Sequence, residues 1–217
     1  MSEPSAVVQQ TADPARASAD ILPGTARVTF SLSMLGWALN EEESLGAYID
    51  RAGAFLAALT DDFELILVDD GSTDRTWAIA LEYQRTRSWL KPYRNERNRG
   101  AGYNTKRAVS LATKHYVFWQ TVDWSYDLRY LAKALPRLNE VDILQGVRTN
   151  ALTVESMVYR SDTAYKGVVS LANYWLIRLL FRLPISDYQN VTVYPRQLIQ
   201  SVSLESESSF TNPECLL

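Results

Sequence analysis

The sequence predicts an α/β fold: a mostly parallel central sheet flanked by helices. Three observations carry this. Short apolar runs alternate with segments of helical period from about residue 28 to 146, and the runs end in carboxylates, glycines and helix-starting residues. With 217 residues and 47% hydrophobic content, the chain can fill one core. A chain of that size buries roughly 70% of its unfolded surface in a single domain.

The elements follow in order. Met1 to about Ala26 is rich in Ala, Ser, Pro and Gln and lacks a sustained apolar period, so 1–26 is expected to be a disordered leader and 27–217 a single domain. Val28–Leu35 reads as a strand, Glu42–Leu59 as an amphipathic helix, and Glu64–Val68 as a second strand. A helix over Asp74–Arg87, a short strand over Lys91–Arg94 and a helix over Gly102–Ala112 come next. His115–Gln120 reads as a strand, Leu128–Leu138 as a helix and Asp142–Gly146 as a further strand.

Composition narrows the function. A net charge of −3 and a pI near 5.3 give no overall attraction to nucleic acid, so no nucleic-acid partner is expected. One cysteine, Cys215, cannot form an intramolecular disulfide, and with one histidine it cannot build an ordinary zinc site. No run reaches the ~20 apolar residues of a spanning helix and no secretory signal is visible. The expected location is cytoplasmic, at most peripheral at the cytoplasmic membrane face.

The most informative stretch is Leu65-Ile66-Leu67-Val68-Asp69-Asp70-Gly71-Ser72-Thr73-Asp74. Four apolar residues make a strand buried on both faces. Asp70-Gly71 turns the chain, and Ser72, Thr73 or Asp74 can accept bonds from the free N–H groups of the next helix. In open α/β sheets ligands bind beyond the carboxyl ends of the strands. A second apolar strand, Val117-Phe118-Trp119-Gln120, likewise runs into Asp123 and Asp127. In a parallel sheet Asp69, Asp70 and Asp123 share one edge, where carboxylates can hold a divalent cation and accept from ribose hydroxyls. Asp127 fits a helix cap better than a ligand. The loop Asn95-Glu96-Arg97-Asn98-Arg99-Gly100-Ala101-Gly102 offers backbone N–H groups and arginines to a base or phosphate.

These pieces, in this order, resemble family 2 glycosyltransferases of the GT-A fold, above all the polyprenyl-phosphate sugar transferases of the dolichyl-phosphate mannose synthase type. The resemblance spans Val28–Leu217 and rests on Asn40-Glu41-Glu42, the Asp69–Asp74 block, Asn98-Arg99-Gly100, Asp123, and Asp187 followed by Tyr194-Pro195-Arg196. It implies a hexosyltransferase that uses a UDP- or GDP-sugar and Mg²⁺ or Mn²⁺. Asn40, Glu41, Asp69, Asp70, Ser72, Asn98 and Gly100 would bind the nucleotide. Asp123 would hold the metal against the diphosphate. The family's Asp-x-Asp signature stands here as Thr121-Val122-Asp123, one carboxylate short, and its glycine-aromatic pair after the acceptor-site aspartate stands as Val191-Thr192.

By the same resemblance Asp187 lies by the acceptor, as general base toward a hydroxyl or as a positioning group toward a phosphate. Arg148, Arg160 and Lys166 are candidates to neutralise an acceptor or donor phosphate. Val168–Leu183 is apolar at helical spacing with Arg178 and Arg182 inserted. It reads either as a helix packed on the sheet or as an interfacial helix admitting a lipid-linked acceptor. At Asn212–Leu217 the chain enters a helix and stops within a turn, which leaves a short protein and an incomplete sequence both open.

The function expected is inverting, metal-dependent transfer of a sugar to a polyprenyl phosphate. Two alternatives stand beside it: transfer to a soluble or polysaccharide acceptor, and a catalytically weak relative that binds nucleotide sugar. The oligomeric state is not indicated.

Overall fold

The computed structural model describes residues 20–147, Leu179, 190–206 and 211–215. Strands β1 (Leu32–Ala38), β2 (Phe63–Asp69), β3 (Leu90–Arg94) and β4 (Tyr116–Trp119) alternate with helices α1 (Leu45–Leu59), α2 (Thr76–Gln84) and α3 (Ala101–Leu111). Helix α4 (Arg129–Ala134) runs into a 3₁₀ turn, Leu135–Asn139, and β5 (Leu144–Gln145) follows. The later described elements are β6 (Thr192–Pro195), α5 (Arg196–Ser201) and α6 (Thr211–Glu214). The six strands form one sheet in the order β3-β2-β1-β4-β6-β5. β1 to β4 are mutually parallel, whereas β6 runs antiparallel to both β4 and β5.

Burial on both faces follows from the strand sequences. In β2, Leu65 and Leu67 join the core under α1 and α4, while Ile66 and Val68 join the opposite core under α3 and α5. Each such side chain contributes about 1.5–3 kcal/mol on burial. Helix α1 buries Leu45, Tyr48, Ile49, Ala52, Phe55, Leu56 and Leu59, the single face that its 3.6-residue repeat predicts.

Where elements depart from the sequence reading, identifiable bonds are responsible. β1 starts later than Val28 because the Val28 amide donates to the Leu59 carbonyl at the end of α1 (2.8 Å). α1 starts later than Glu42 because the Glu41 and Glu42 amides are engaged by Thr76 Oγ1 (2.7 Å) and Asp74 Oδ2 (3.1 Å). The expected helix over Leu128–Leu138 tightens into the 3₁₀ turn at Leu135, where Pro136 lacks an N–H to donate. β6 was not assigned from the sequence; its four residues end in a proline and show no decisive period.

The expected leader is anchored before residue 26. Asp20 is buried, and its carboxylate accepts two bonds from Arg51, Nε at 2.6 Å and Nη2 at 2.7 Å. Ile21 packs on the core beside it. At the amino ends of the strands, buried Glu64 accepts from Ser33 Oγ (2.7 Å), the Thr113 amide (2.7 Å) and Thr113 Oγ1 (2.9 Å). This fully bonded carboxylate fixes β1, β2 and the segment after α3 to one another at the end of the sheet opposite the strand-end loops.

Candidate functional site

Strand register sets the site. Ala38 pairs with Asp69, and Asp69 with Arg94, so three neighbouring strands end level with one another. The ladder then continues into the loops: the Asp70 amide donates to Ala38 O (2.8 Å) and the Asn95 amide to Asp69 O (2.8 Å). Asp69 is buried, accepts the Ser72 amide (3.1 Å) and forms an ion pair with Arg94 at 2.9 Å.

Asp70 is buried too, and its carboxylate organises the loop before α3. Oδ1 accepts from Asn95 Nδ2 (2.7 Å) and the Arg99 amide (2.8 Å), and Oδ2 from the Gly100 amide (3.0 Å). Asn98 Oδ1 also accepts from Gly100 (3.0 Å). Gly71, at φ +76°, lets the loop approach: a Cβ there would lie 2.6 Å from the backbone carbon of Arg97. Both Asp70 oxygens are engaged inside the chain, Oδ2 by the Gly100 amide alone, which leaves that oxygen capacity to accept a further donor.

Asn40 and Glu41 join the same edge. Asn40 is left-handed (φ +54°); its amide donates to Ser72 Oγ (2.9 Å), and its Oδ1 accepts the Thr73 amide (2.9 Å). Glu41 bonds to the Ser44 hydroxyl. Asp74 accepts the Thr76 and Glu42 amides. Desolvation pushes its pKa upward, but the bonds from Thr76 and Glu42 outweigh it and hold the carboxyl below its ordinary value.

Asp123 follows β4, on the other side of β1. It is exposed; Oδ1 accepts the Ser125 amide (3.2 Å), and Oδ2 accepts nothing among the described residues. Sequence reasoning missed what holds its loop. Gln120 is buried: its Nε2 donates to Tyr126 O (2.8 Å), its Oε1 accepts the Thr121 and Tyr126 amides, and its carbonyl accepts the Tyr48 hydroxyl (3.1 Å). Gly36 makes room for Tyr48, since a Cβ would stand 2.2 Å from that hydroxyl. Burial pushes the Tyr48 phenol far up, so it remains a donor.

Trp124 adopts φ +57°, uncommon for a bulky residue. It is held there by Tyr48 and Phe55, edge-on at 5.9 and 6.3 Å, and by Arg51, whose guanidinium carbon lies 4.3 Å from its ring centroid. Arg51 is the partner of Asp20, so the N-terminal segment supports the Asp123 loop. Only a bulky residue beside the aspartate hinted at this.

Thr121 Oγ1 meets Ser125 Oγ at 2.6 Å and accepts its amide (3.2 Å), so the position that lacks a carboxylate closes the loop. Asp127 accepts the Arg129 amide (3.1 Å) together with Nε (2.9 Å) and Nη2 (2.7 Å) of the same residue; the N-cap position of α4 is Leu128, so Asp127 sits one residue before the cap it was expected to form. The Arg129 bonds hold its pKa low. Asp187, Arg148, Arg160, Lys166 and nearly all of Val168–Leu183 lie outside the described residues.

Among the described residues no three His, Cys, Asp or Glu side chains stand together as a metal cage. Mg²⁺ characteristically takes one or two carboxylates and completes its shell with water and substrate phosphates. Asp123, with one uncommitted oxygen, fits a cation shared with a diphosphate.

Solved structures share this fold. The S. aureus TarS fragment 1–349 aligns with a TM-score of 0.56 at 19% identity, covering 86% of this chain and 54% of that one. The mannosyltransferase PcManGT of Pyrobaculum calidifontis, solved with GDP-Man and Mn²⁺, aligns with a TM-score of 0.53 at 17% identity, covering 86% and 52%. The architecture is therefore that of the GT-A glycosyltransferases, as the resemblance implied. The chain belongs to glycosyl transferase family 2, whose family model matches residues 37–197. A curated relative, dodecaprenyl-phosphate galacturonate synthase of Rhizobium johnstonii, is 27% identical over 205 residues, covering 92% of this chain and 56% of that protein. The chain thus spans little more than half the length of these proteins.

Proposed function

We propose that this chain transfers a sugar from a UDP- or GDP-sugar to a polyprenyl phosphate, with inversion at the anomeric carbon and with Mg²⁺ or Mn²⁺. The observation that carries the reading is the convergence of the Asp69-Asp70 turn, the loop bonded to it through Arg99 and Gly100, and Asp123 at one sheet edge. The name of the R. johnstonii relative supports the lipid-phosphate acceptor, and the GDP-Man and Mn²⁺ of the P. calidifontis enzyme support the donor and metal classes.

In this reading the nucleotide is bound by Asn40, Glu41, Asp69, Asp70, Ser72, Asn98 and Gly100, with Asp70 also shaping the loop it holds. A divalent cation on Asp123 would neutralise the charge that grows on the departing diphosphate. An oxygen of the acceptor phosphate attacks the anomeric carbon from the opposite side, and the bonding pair of the cleaved C–O bond leaves with the diphosphate. That acceptor is already anionic. Asp187 would position it rather than deprotonate it, and Arg148, Arg160 and Lys166 are the cations offered to its charge. Among the described residues no helix is long and apolar enough to cross a membrane. A lipid-linked acceptor would place the reaction at the cytoplasmic membrane face.

Labelled UDP- and GDP-sugars with Mn²⁺ and a polyprenyl phosphate test this. Label in the lipid product is expected; label only in a soluble glycan would replace the acceptor. The engagement of Thr121 with Ser125 favours a second reading, a weak relative that binds nucleotide sugar. Nucleotide binding without turnover on any acceptor would support it.

A further inference from the structure

Trp124 directly follows Asp123, and its backbone is left-handed at φ +57°. A bulky side chain persists in that region only where its surroundings over-determine it. Within the loop the Trp124 amide donates to Thr121 O (2.9 Å), a bond that other residues could make equally well. The indole Nε1 is buried and has no hydrogen-bond partner among the described residues. The ring is therefore held by what packs on it and not by a polar tether.

That packing comes from one face of α1, where Tyr48, Arg51 and Phe55 follow the i, i+3, i+7 spacing. Tyr48 and Phe55 meet the indole edge-on, and Arg51 lies over it. A guanidinium has an edge and a face, and Arg51 uses both. Its Nε and Nη2 edge donates twice to the Asp20 carboxylate, and its face covers the ring. The Asp20 side chain is only 6% exposed, so salt screens this pair little. Asp20 thereby fixes the plane in which Arg51 meets Trp124.

The other side of the sheet edge has its own supports. Asp70 gathers Asn95, Arg99 and Gly100, and Asn40 is bonded to Ser72 and Thr73. The loop that carries Asp123 and the loops that carry the nucleotide contacts are thus braced by different side chains.

We infer that Asp20 and Arg51 are positioning residues for Asp123: through the Trp124 ring they hold the loop in the shape that offers this carboxylate to a cation, and they leave the nucleotide contacts alone. This role rests on the proposed reading of Asp123 as the metal-side carboxylate, and extends it to two residues that touch neither metal nor substrate.

Calorimetry of UDP and GDP binding to the full chain, with and without Mn²⁺, tests it. Arg51→Gln alone would strand the buried Asp20 carboxylate, so both partners are changed together. Asp20→Asn/Arg51→Gln should cut the affinity gained from Mn²⁺ about fivefold and leave metal-free nucleotide affinity unchanged. Asp20→Asn alone should show the same split in smaller measure, and decides the matter if the double variant does not fold. Asp50→Asn/Arg87→Gln removes a comparable ion pair (2.7 Å) and ring contact, that of Arg87 with Tyr83, and should leave both affinities unchanged. Hydrogen exchange should quicken at Trp124 and Ser125, but not at Gly100, only in the Asp20 and Arg51 variants. An undiminished gain from Mn²⁺, an equal loss of metal-free affinity, an equal loss in the Asp50 and Arg87 variant, or unchanged exchange at Trp124 and Ser125 would each overturn the inference. A parent chain that gains nothing from Mn²⁺ would instead defeat the metal reading of Asp123, and the exchange rates would then decide alone whether Asp20 and Arg51 hold the loop.

Discussion

Asp70 holds Gly100 across thirty residues of sequence, its Oδ2 accepting the glycine amide at 3.0 Å while Oδ1 accepts the amide of Arg99. The tip of β2 and the start of α3 are thereby one rigid unit.

Asp70→Ala should lower unfolding free energy by about 1–3 kcal/mol, because two backbone donors and Asn95 Nδ2 lose their acceptor. Urea titration reads the loss. Hydrogen exchange should accelerate first at Arg99 and Gly100, and unchanged protection there would refute the coupling.

Gly36 and Tyr48 should behave as one site. Gly36→Ala alone drives a methyl into the Tyr48 hydroxyl and should cost about 1–3 kcal/mol. Tyr48→Phe alone loses the bond to Gln120 O, about 1 kcal/mol. The double variant should be more stable than the sum of the two, since removing the hydroxyl opens part of the space the methyl needs. Strict additivity in a thermal-melt cycle would contradict this.

Asp123→Ala should leave stability within about 0.5 kcal/mol, as its exposed carboxylate holds only the Ser125 amide. Calorimetry with UDP or GDP should nevertheless lose the gain in affinity that Mn²⁺ gives the parent chain. EDTA should bring the parent to the level of the variant.

Cys215 should resist alkylation while the chain is folded. It is buried beside Tyr194, and desolvation pushes its thiol up to about 12. The reactive thiolate is therefore scarce at pH 8, and its fraction grows about tenfold per pH unit up to that value. Iodoacetamide labelling should be slow at pH 8 in buffer and fast in urea, where the thiol returns to about 8.5. Equal rates would show that the thiol is not enclosed.

The fold was legible wherever local pattern and burial agree. Leu65–Val68 announced a strand covered on both faces, and the spacing from Leu45 to Leu59 announced the helix packed on it. Asp127 was legible as a residue bonded to the start of the next helix because that bond is local, but the cap position itself falls one residue later, at Leu128. The site residues were legible as types at strand ends but not in their attachments. That Asp70 faces Gly100, or that Gln120 gathers Thr121 and Tyr126, depends on loops meeting in space. Trp124 was missed because its left-handed backbone is imposed by Tyr48, Phe55 and Arg51, all on α1. β6 was missed because its pairing with β4 and β5, not its own composition, makes it a strand.

The place of β6 also orders events during synthesis. β1 pairs with β2, and β2 with β3, soon after they emerge, but β4 gains its outer neighbour only when Thr192–Pro195 has left the ribosome. Until then the nascent chain carries an open strand edge beside Val117, a stretch where sticking to other chains competes with completion. Stop codons or ribosome pauses before Thr192 would therefore yield aggregates rather than a smaller working domain.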